Sequence, residues 1–273
     1  MSIFIDHWQL IAALIGAGAF AGIIAGLFGV GGGVVIVPAL YAAFGILDVD
    51  DAVRMKAAVA TSLATIITTS IRSAWLHYKR GAVDVRILKL WAPWIMAGAL
   101  VGSFAASAAP GEALTMGFAI FLILLSVQMG FGQPDWRLRE TMPPKGPSAV
   151  IAAFVGLFSA MAGIGGGIFG VIIMTLCGKP IHRAVGTAAG FGAAIGIPAT
   201  LGFILAGWNV PNLPVFSFGY VNVTGFIFIA SLTALMAPVG VALAHALPVK
   251  HLRRLFAVLM VVAGGLMLRD VLG

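Results

Sequence analysis

The chain has 273 residues, of which 61% are hydrophobic and only 9% charged, and its mean hydropathy is +1.09, which excludes a soluble globular domain. The formal charge of +7 does not point to nucleic acid, because the basic residues fall in short loops between apolar stretches, where they read as topology signals. A single cysteine, Cys177, excludes an internal disulfide and a cysteine-based metal cluster, and no CxxC or HExxH spacing occurs.

At roughly 20 apolar residues per crossing, this length holds about ten spans and little else. The first apolar segment, near 8–28, follows Asp6 and His7 rather than a basic region and reads as a retained helix. The run Gly29-Val30-Gly31-Gly32-Gly33 then opens a short segment over 33–46 that contains Pro38. Longer segments follow at 57–76, 87–108 and 112–131, the first of them carrying Thr61, Ser62, Thr65, Thr68, Thr69 and Ser70. After a polar stretch the order recurs: 147–162, the run Gly163-Ile164-Gly165-Gly166-Gly167, a short segment over 167–178, then 184–206 with Thr187, Pro198 and Thr200, 219–246 and 249–271.

Three matches in the same order indicate a duplication. The glycine runs lie 134 positions apart. Ala58-Val59-Ala60-Thr61 matches Ala184-Val185-Gly186-Thr187 at 126, and Gly81-Ala82-Val83-Asp84 matches Gly219-Tyr220-Val221-Asn222 at 138. The expected fold is therefore an all-α polytopic membrane protein of two repeats, 1–132 and 147–273, joined by a cytoplasmic linker at 133–146. Five segments per half, an odd number, place the repeats in opposite senses across the bilayer. Each short segment covers only some two-thirds of a hydrocarbon core about 30 Å thick and reads as a half-helix, re-entrant or tilted. Either case leaves the parity unchanged.

Parity assigns Arg72, Lys79, Arg80, Arg86, Lys89, Arg137, Arg139, Lys145, Lys179, Arg183, Lys250, Arg253 and Arg254 to one side and only Arg54, Lys56 and Arg269 to the other. The first side is then cytoplasmic and both termini face outward. Trp75, Tyr78, Trp91, Trp94 and Trp136 fall near the inner surface and Trp208 near the outer one, as interface anchors do.

Inverted repeats with broken helices are an architecture of secondary transporters, with the site at the repeat interface near the midplane. Consecutive glycines let backbone approach a ligand, and the half-helix that follows points free N–H groups and a positive dipole end at the same place. Two such ends suit an anion. The candidate site is Gly31, Gly32, Gly33, Gly165, Gly166 and Gly167 with the hydroxyls of Thr61, Ser62 and Thr187, chosen because Thr61 and Thr187 occupy the repeated position. Glycines can also serve close helix crossing, and the hydroxyls can back-bond to their own helix. Pro38 and Pro198 mark a bend, an unwound stretch or a simple kink. Arg183 and Lys56 precede the repeated helix on opposite sides, as anion funnels or as ordinary interface charges.

All nine acidic residues fall in loops or at segment ends, which removes support for cation transport. His182 and His245 are either proton carriers or structural. No nucleophile, base or metal constellation forms an enzyme site, no continuous polar stripe forms a pore, and Val34 breaks the pattern of a dinucleotide loop. No cofactor and no metal are expected.

The doubled glycine run, Pro38, Ala58-Val59-Ala60-Thr61-Ser62 and Ala184-Val185-Gly186-Thr187 together resemble the sulfite exporter TauE/SafE family of bacterial inner-membrane anion transporters, over about residues 8–272. The resemblance implies export of sulfite or small organosulfonates such as sulfoacetate. Ala188 stands where the first half has Ser62, a departure from symmetric use of that hydroxyl. An importer or uniporter of another small anion is the alternative reading. The expected partners are the anion and the bilayer, as a monomer or a homodimer.

Overall fold

The computed structural model describes residues 15–16, 18–24, 32–131, 138–246 and 249–273. Its helices are α1 (18–24), α2 (Gly33–Ile46), α3 (Asp51–Lys79), α4 (Val85–Ala108), α5 (Gly111–Phe131), α6 (Lys145–Met161), α7 (Gly167–Leu176), α8 (Ile181–Ala206), α9 (Val223–Ala246) and α10 (Val249–Leu272). A two-stranded antiparallel hairpin, β1 (Ser217–Phe218) and β2 (Val221–Asn222), precedes α9. The fold is that of an all-α polytopic membrane protein.

Local chemistry sets the ends. The Asp50 carboxylate accepts from Ala52 N at 2.9 Å and starts α3 six residues before its apolar stretch. At the other end Gly81, at φ +68°, lets Ala82 N reach the His77 carbonyl at 3.0 Å and stops the helix. Residues 219–222, expected to begin a helix, instead complete the hairpin, because Phe216 and Gly219 take positive φ. Helix α9 begins only where the Asn222 carboxamide oxygen accepts from Gly225 N at 2.8 Å. Neither Pro38 nor Pro198 unwinds its helix.

The two halves interlock: α3 packs on α8, α4 on both α6 and α8, and α5 on α10. Glycines make the closest crossings. A Cβ on Gly98 or Gly102 of α4 would collide with the backbone of Ala153 or Leu157 of α6, which is close backbone packing of the kind small residues permit in membranes. Gly156 of α6 abuts Ile95 of α4, and Gly22 of α1 abuts Thr233 of α9. Positions 22 and 156 are 134 apart and positions 95 and 233 are 138 apart, the same offsets that relate the repeated motifs.

Contacts sort the connecting segments into two ends. At one, Asn212 Nδ2 donates to Asp50, Gly111 lies against Asp51, and Arg54 pairs with Asp270 of α10. At the other, Lys179 pairs with Asp84 at 3.2 Å, Gly186 lies against Ala82, and Leu138 and Arg139 donate to the Leu176 carbonyl at 2.9 and 3.1 Å. Both the start of α6 and the end of α7 belong to this second end, so the chain goes in along α6, turns at the second glycine run and comes back along α7. At 10 residues, α7 is about 15 Å long, too short to cross. Helix α2 runs from the interior at Gly32 to the first end.

Trp75, Tyr78, Trp94 and Trp208 are exposed, as interface anchors should be. Trp91 is not one of them. It is fully buried and stacks on Phe191 with centroids 5.6 Å apart, because it lies on the face of α4 that packs against α8. Trp136 lies outside the described residues.

Candidate functional site

Gly32 adopts φ +77°, a left-handed conformation open to glycine, and its carbonyl accepts from Val35 N and Ile36 N to start α2. The second run starts α7 with Gly166, whose carbonyl accepts from Gly170 N at 2.8 Å. Between them the two runs touch: a Cβ on Gly33 would stand 2.6 Å from the Gly163 carbonyl oxygen and 3.0 Å from Ile164 Cα. Gly32, Gly33 and Gly163–Gly167 are all buried. Gly31 lies outside the described residues.

The candidate hydroxyls are fully buried. Ser62 Oγ donates to the Gly163 carbonyl at 2.8 Å, so the structure brings it to the second glycine run. Thr61 Oγ1 accepts from Asn222 N at 2.9 Å, and Thr187 Oγ1 accepts from Asp84 N at 2.8 Å while donating to the Arg183 carbonyl at 2.7 Å. The repeated threonines therefore hold the residues that start α9 and α4, each a contact from one half to the other. Thr65, Thr68 and Thr69 donate to carbonyls three or four residues back on α3 and carry no outward-facing donor.

Two buried hydroxyls, Ser159 and Thr200, and the Trp91 indole N–H have no partner among the described residues. No Asp, Glu, Lys or Arg among the described residues is buried, and no cluster of three metal-ligating side chains occurs among them. Among the described residues the centre is thus buried, uncharged and rich in backbone dipoles, a setting in which a carboxylate or ammonium has no charged counterpart.

Charge stands at the ends. Burial alone would raise the Asp84 carboxyl, but the Ile87 N–H and the Lys179 ammonium outweigh it and hold the group below the usual carboxylate range. At the opposite end Arg54 bonds Tyr41, Asp51 and Asp270, with its guanidinium 4.0 Å above the Tyr41 ring. His182 and Arg183 are exposed, and Lys56 is half-buried with its ammonium 5.9 Å from the Tyr220 ring. The side chain of His245 lies outside the described residues. A groove of about 210 Å³ between α6 and α7, lined by Ile151, Phe154, Val155, Phe158, Phe169 and Ile173, is wholly apolar and offers an anion nothing.

The partners of the repeated threonines escaped sequence reasoning although the signal was present. Asp84 and Asn222 occupy one position of the third matched motif, 138 apart. Ser159 and the Arg54–Asp270 pair carried no such signal.

An interlocked bundle of apolar helices, two of them starting at buried glycines, is that of a polytopic membrane protein, and its family and relatives make it a membrane transporter. The chain belongs to the sulfite exporter TauE/SafE family, whose model it matches over residues 14–267. It is 34% identical over 246 residues to a probable membrane transporter protein of Haemophilus influenzae, covering 90% of this chain and 93% of the relative. A probable membrane transporter protein of Methanocaldococcus jannaschii is 28% identical over 265 residues, covering 95% and 96%. No solved structure matches the chain.

Proposed function

We propose that this transporter exports small sulfur oxyanions, sulfite or organosulfonates such as sulfoacetate, across the bacterial inner membrane by alternating access between two inverted repeats. The observation that carries the reading is the meeting of the two glycine breaks, Gly33 against Gly163 and Ile164, at a buried place free of charge, in a chain of the TauE/SafE family. The anion sits between the starts of α2 and α7, near Gly31–Gly33, Gly165–Gly167 and the Ser62 hydroxyl, while Thr61 and Thr187, the other candidate hydroxyls, stand against the starts of α9 and α4. Ser62, which joins α3 to the second run, and the two threonine contacts between halves are the bonds that relative motion of the repeats rearranges.

The end that carries Lys79, Arg80, Arg86, Lys89, Arg139, Lys145, Lys179 and Arg183 faces the cytoplasm and both termini face outward. An anion leaving a negative-inside cell gains about 2.3 kcal/mol per charge per 100 mV, so export requires no coupling ion. The test is a thermal-stability screen of the detergent-purified protein against sulfite, sulfoacetate, sulfate, acetate and chloride, since a ligand that binds only the folded state raises its stability. A selective rise with sulfite or sulfoacetate supports the reading. A flat response to every sulfur compound removes it.

A further inference from the structure

We propose that the two ion pairs joining one half of the chain to the other are latches that hold the half-helices α2 and α7 at opposite ends of the molecule, and that they open in turn. This rests on the alternating-access reading above and names the contacts that gate it.

Helices α2 and α7 start at one buried place, where Gly33 lies against Gly163 and Ile164, and run from it to opposite ends. Among the described residues the ion pair of Arg54 with Asp51 stays within α3, while the other two cross between halves and stand one at each end. At the first end Arg54 of α3 pairs with Asp270 of α10, and Tyr41 of α2 completes the cluster. Its hydroxyl donates to Asp270 at 2.6 Å, and the guanidinium lies 4.0 Å from the centre of its ring. At the second end Lys179, just past the end of α7, pairs at 3.2 Å with Asp84, which starts α4. Each half-helix is therefore tied to the opposite half by a charged contact at the end toward which it runs.

Exposure suits these pairs to opening. The Asp270 side chain is 47% exposed and that of Lys179 31%, so each pair keeps a partner in reach of water, which takes over its hydrogen bonds when the pair parts. The neutral crossings offer no such exchange, because Gly98, Gly102 and Gly156 set backbone against backbone in packed surfaces that shift as units. With both pairs made, Gly32, Gly33 and Gly163–Gly167 between them are buried, and the molecule is shut at both ends. A contact made only while one end is shut favours that arrangement, and losing it shifts the population toward opening at that end alone. A tie with no gating role would instead loosen the molecule without a preferred side.

The experiment places a reporter thiol at the centre of the full-length protein and asks from which side it is reached. Ser159 serves: it is 0% exposed, its hydroxyl has no partner among the described residues, and its carbonyl accepts from Ile164 N at 3.0 Å beside the second break. In a Cys177→Ser, Ser159→Cys parent, an impermeant maleimide is added to intact cells or to inside-out vesicles. The parent should react slowly from both sides. Asp270→Asn and Arg54→Gln should each raise the rate from outside about tenfold and leave the inside rate unchanged, and Lys179→Gln and Asp84→Asn should do the reverse. Tyr41→Phe, which keeps the ring and the ion pair, should raise the outside rate less. Asp270→Asn and Lys179→Gln change the more exposed partner of each pair and keep the test open should Arg54→Gln or Asp84→Asn fail to fold. Unchanged rates, or equal rises from both sides, overturn the latches while efflux of sulfite by wild type in proteoliposomes keeps the transport reading. Sided rises in a wild type that moves no sulfur oxyanion leave the latches standing and overturn the cargo.

Discussion

The backbone N–H of Asp84 donates to the Thr187 hydroxyl at 2.8 Å, and Asn222 N–H donates to Thr61 at 2.9 Å in the same manner. Thr61 and Thr187 are 126 positions apart, Asp84 and Asn222 are 138 apart, and both acceptors sit on the pair α3 and α8 that packs at the centre. Each bond ties the start of a long helix to the long helix of the other half. Asp84 and Asn222 also cap the helices they begin, so one residue in each half joins a local start signal to a contact between halves.

Replacing Thr61 or Thr187 with valine keeps shape but leaves a backbone N–H unpaired, at a cost of about 1–3 kcal/mol. Both variants should lower the thermal midpoint by similar amounts. A variant as stable as wild type would show that its bond does not hold the halves together.

Much of this arrangement is legible in the residues. The glycine runs and apolar segment lengths place α2 and α7, and the repeated motifs single out Thr61 and Thr187. What stays hidden has physical causes. Arg54 and Lys56 conceal the first turns of α3, because hydropathy sees charge where the Asp50 cap allows a helix to begin early. Trp91 reads as an interface anchor by position, yet whether an indole meets lipid or Phe191 depends on which face of α4 packs on α8. The return of α7 to the end where α6 begins shows only in the bonds from Leu138 and Arg139 to Leu176, which join segments distant in sequence.

Gly33→Ala should be the harsher of two matched substitutions in the breaks. Its Cβ meets the Gly163 carbonyl and Ile164 Cα, backbone atoms that cannot rotate away, whereas a Cβ at Gly166 meets the movable end of Ile195. Overpacking of this kind costs about 1–3 kcal/mol. Gly265→Ala, with nothing within 4 Å, is the control and should be neutral or slightly stabilising. Midpoints in detergent would rank the three, and an unaffected Gly33→Ala would contradict the close contact of the runs.

Asp84 makes stability depend on pH. Its carboxyl titrates lower in the folded protein than in the unfolded chain, so its contribution is full above the ordinary carboxylate range near about pH 4 and is lost as pH falls through the folded value. The unfolded state binds the proton first. Asp84→Asn keeps a capping side chain but loses the pair with Lys179, and should show a smaller fall in midpoint between neutral and acidic pH than wild type. Equal falls would mean the pair contributes nothing.

Arg54 ties α3 to α10. Its side chain is 13% exposed and that of Asp270 47%, so screening moderates the pair, and Arg54→Met should cost about 1–2 kcal/mol. Asp270→Asn added to Arg54→Met should cost less than the sum of the two single changes. Strict additivity would show that the two groups do not interact.

The two ends should label from opposite sides of the membrane. In a Cys177→Ser background, Asp48→Cys should react with an impermeant maleimide added to intact cells, and Arg139→Cys should react only after the membrane is opened. The reverse pattern would invert the orientation.

The most direct measurement is efflux of labelled sulfite and sulfoacetate from proteoliposomes carrying the purified protein, with an interior-negative potential imposed. Saturable efflux faster than from protein-free vesicles, accelerated by the potential and lost with Gly33→Ala, is the expected result. Efflux no faster than from empty vesicles, for both anions and at any potential, would contradict the assignment of this chain as an exporter of small sulfur oxyanions.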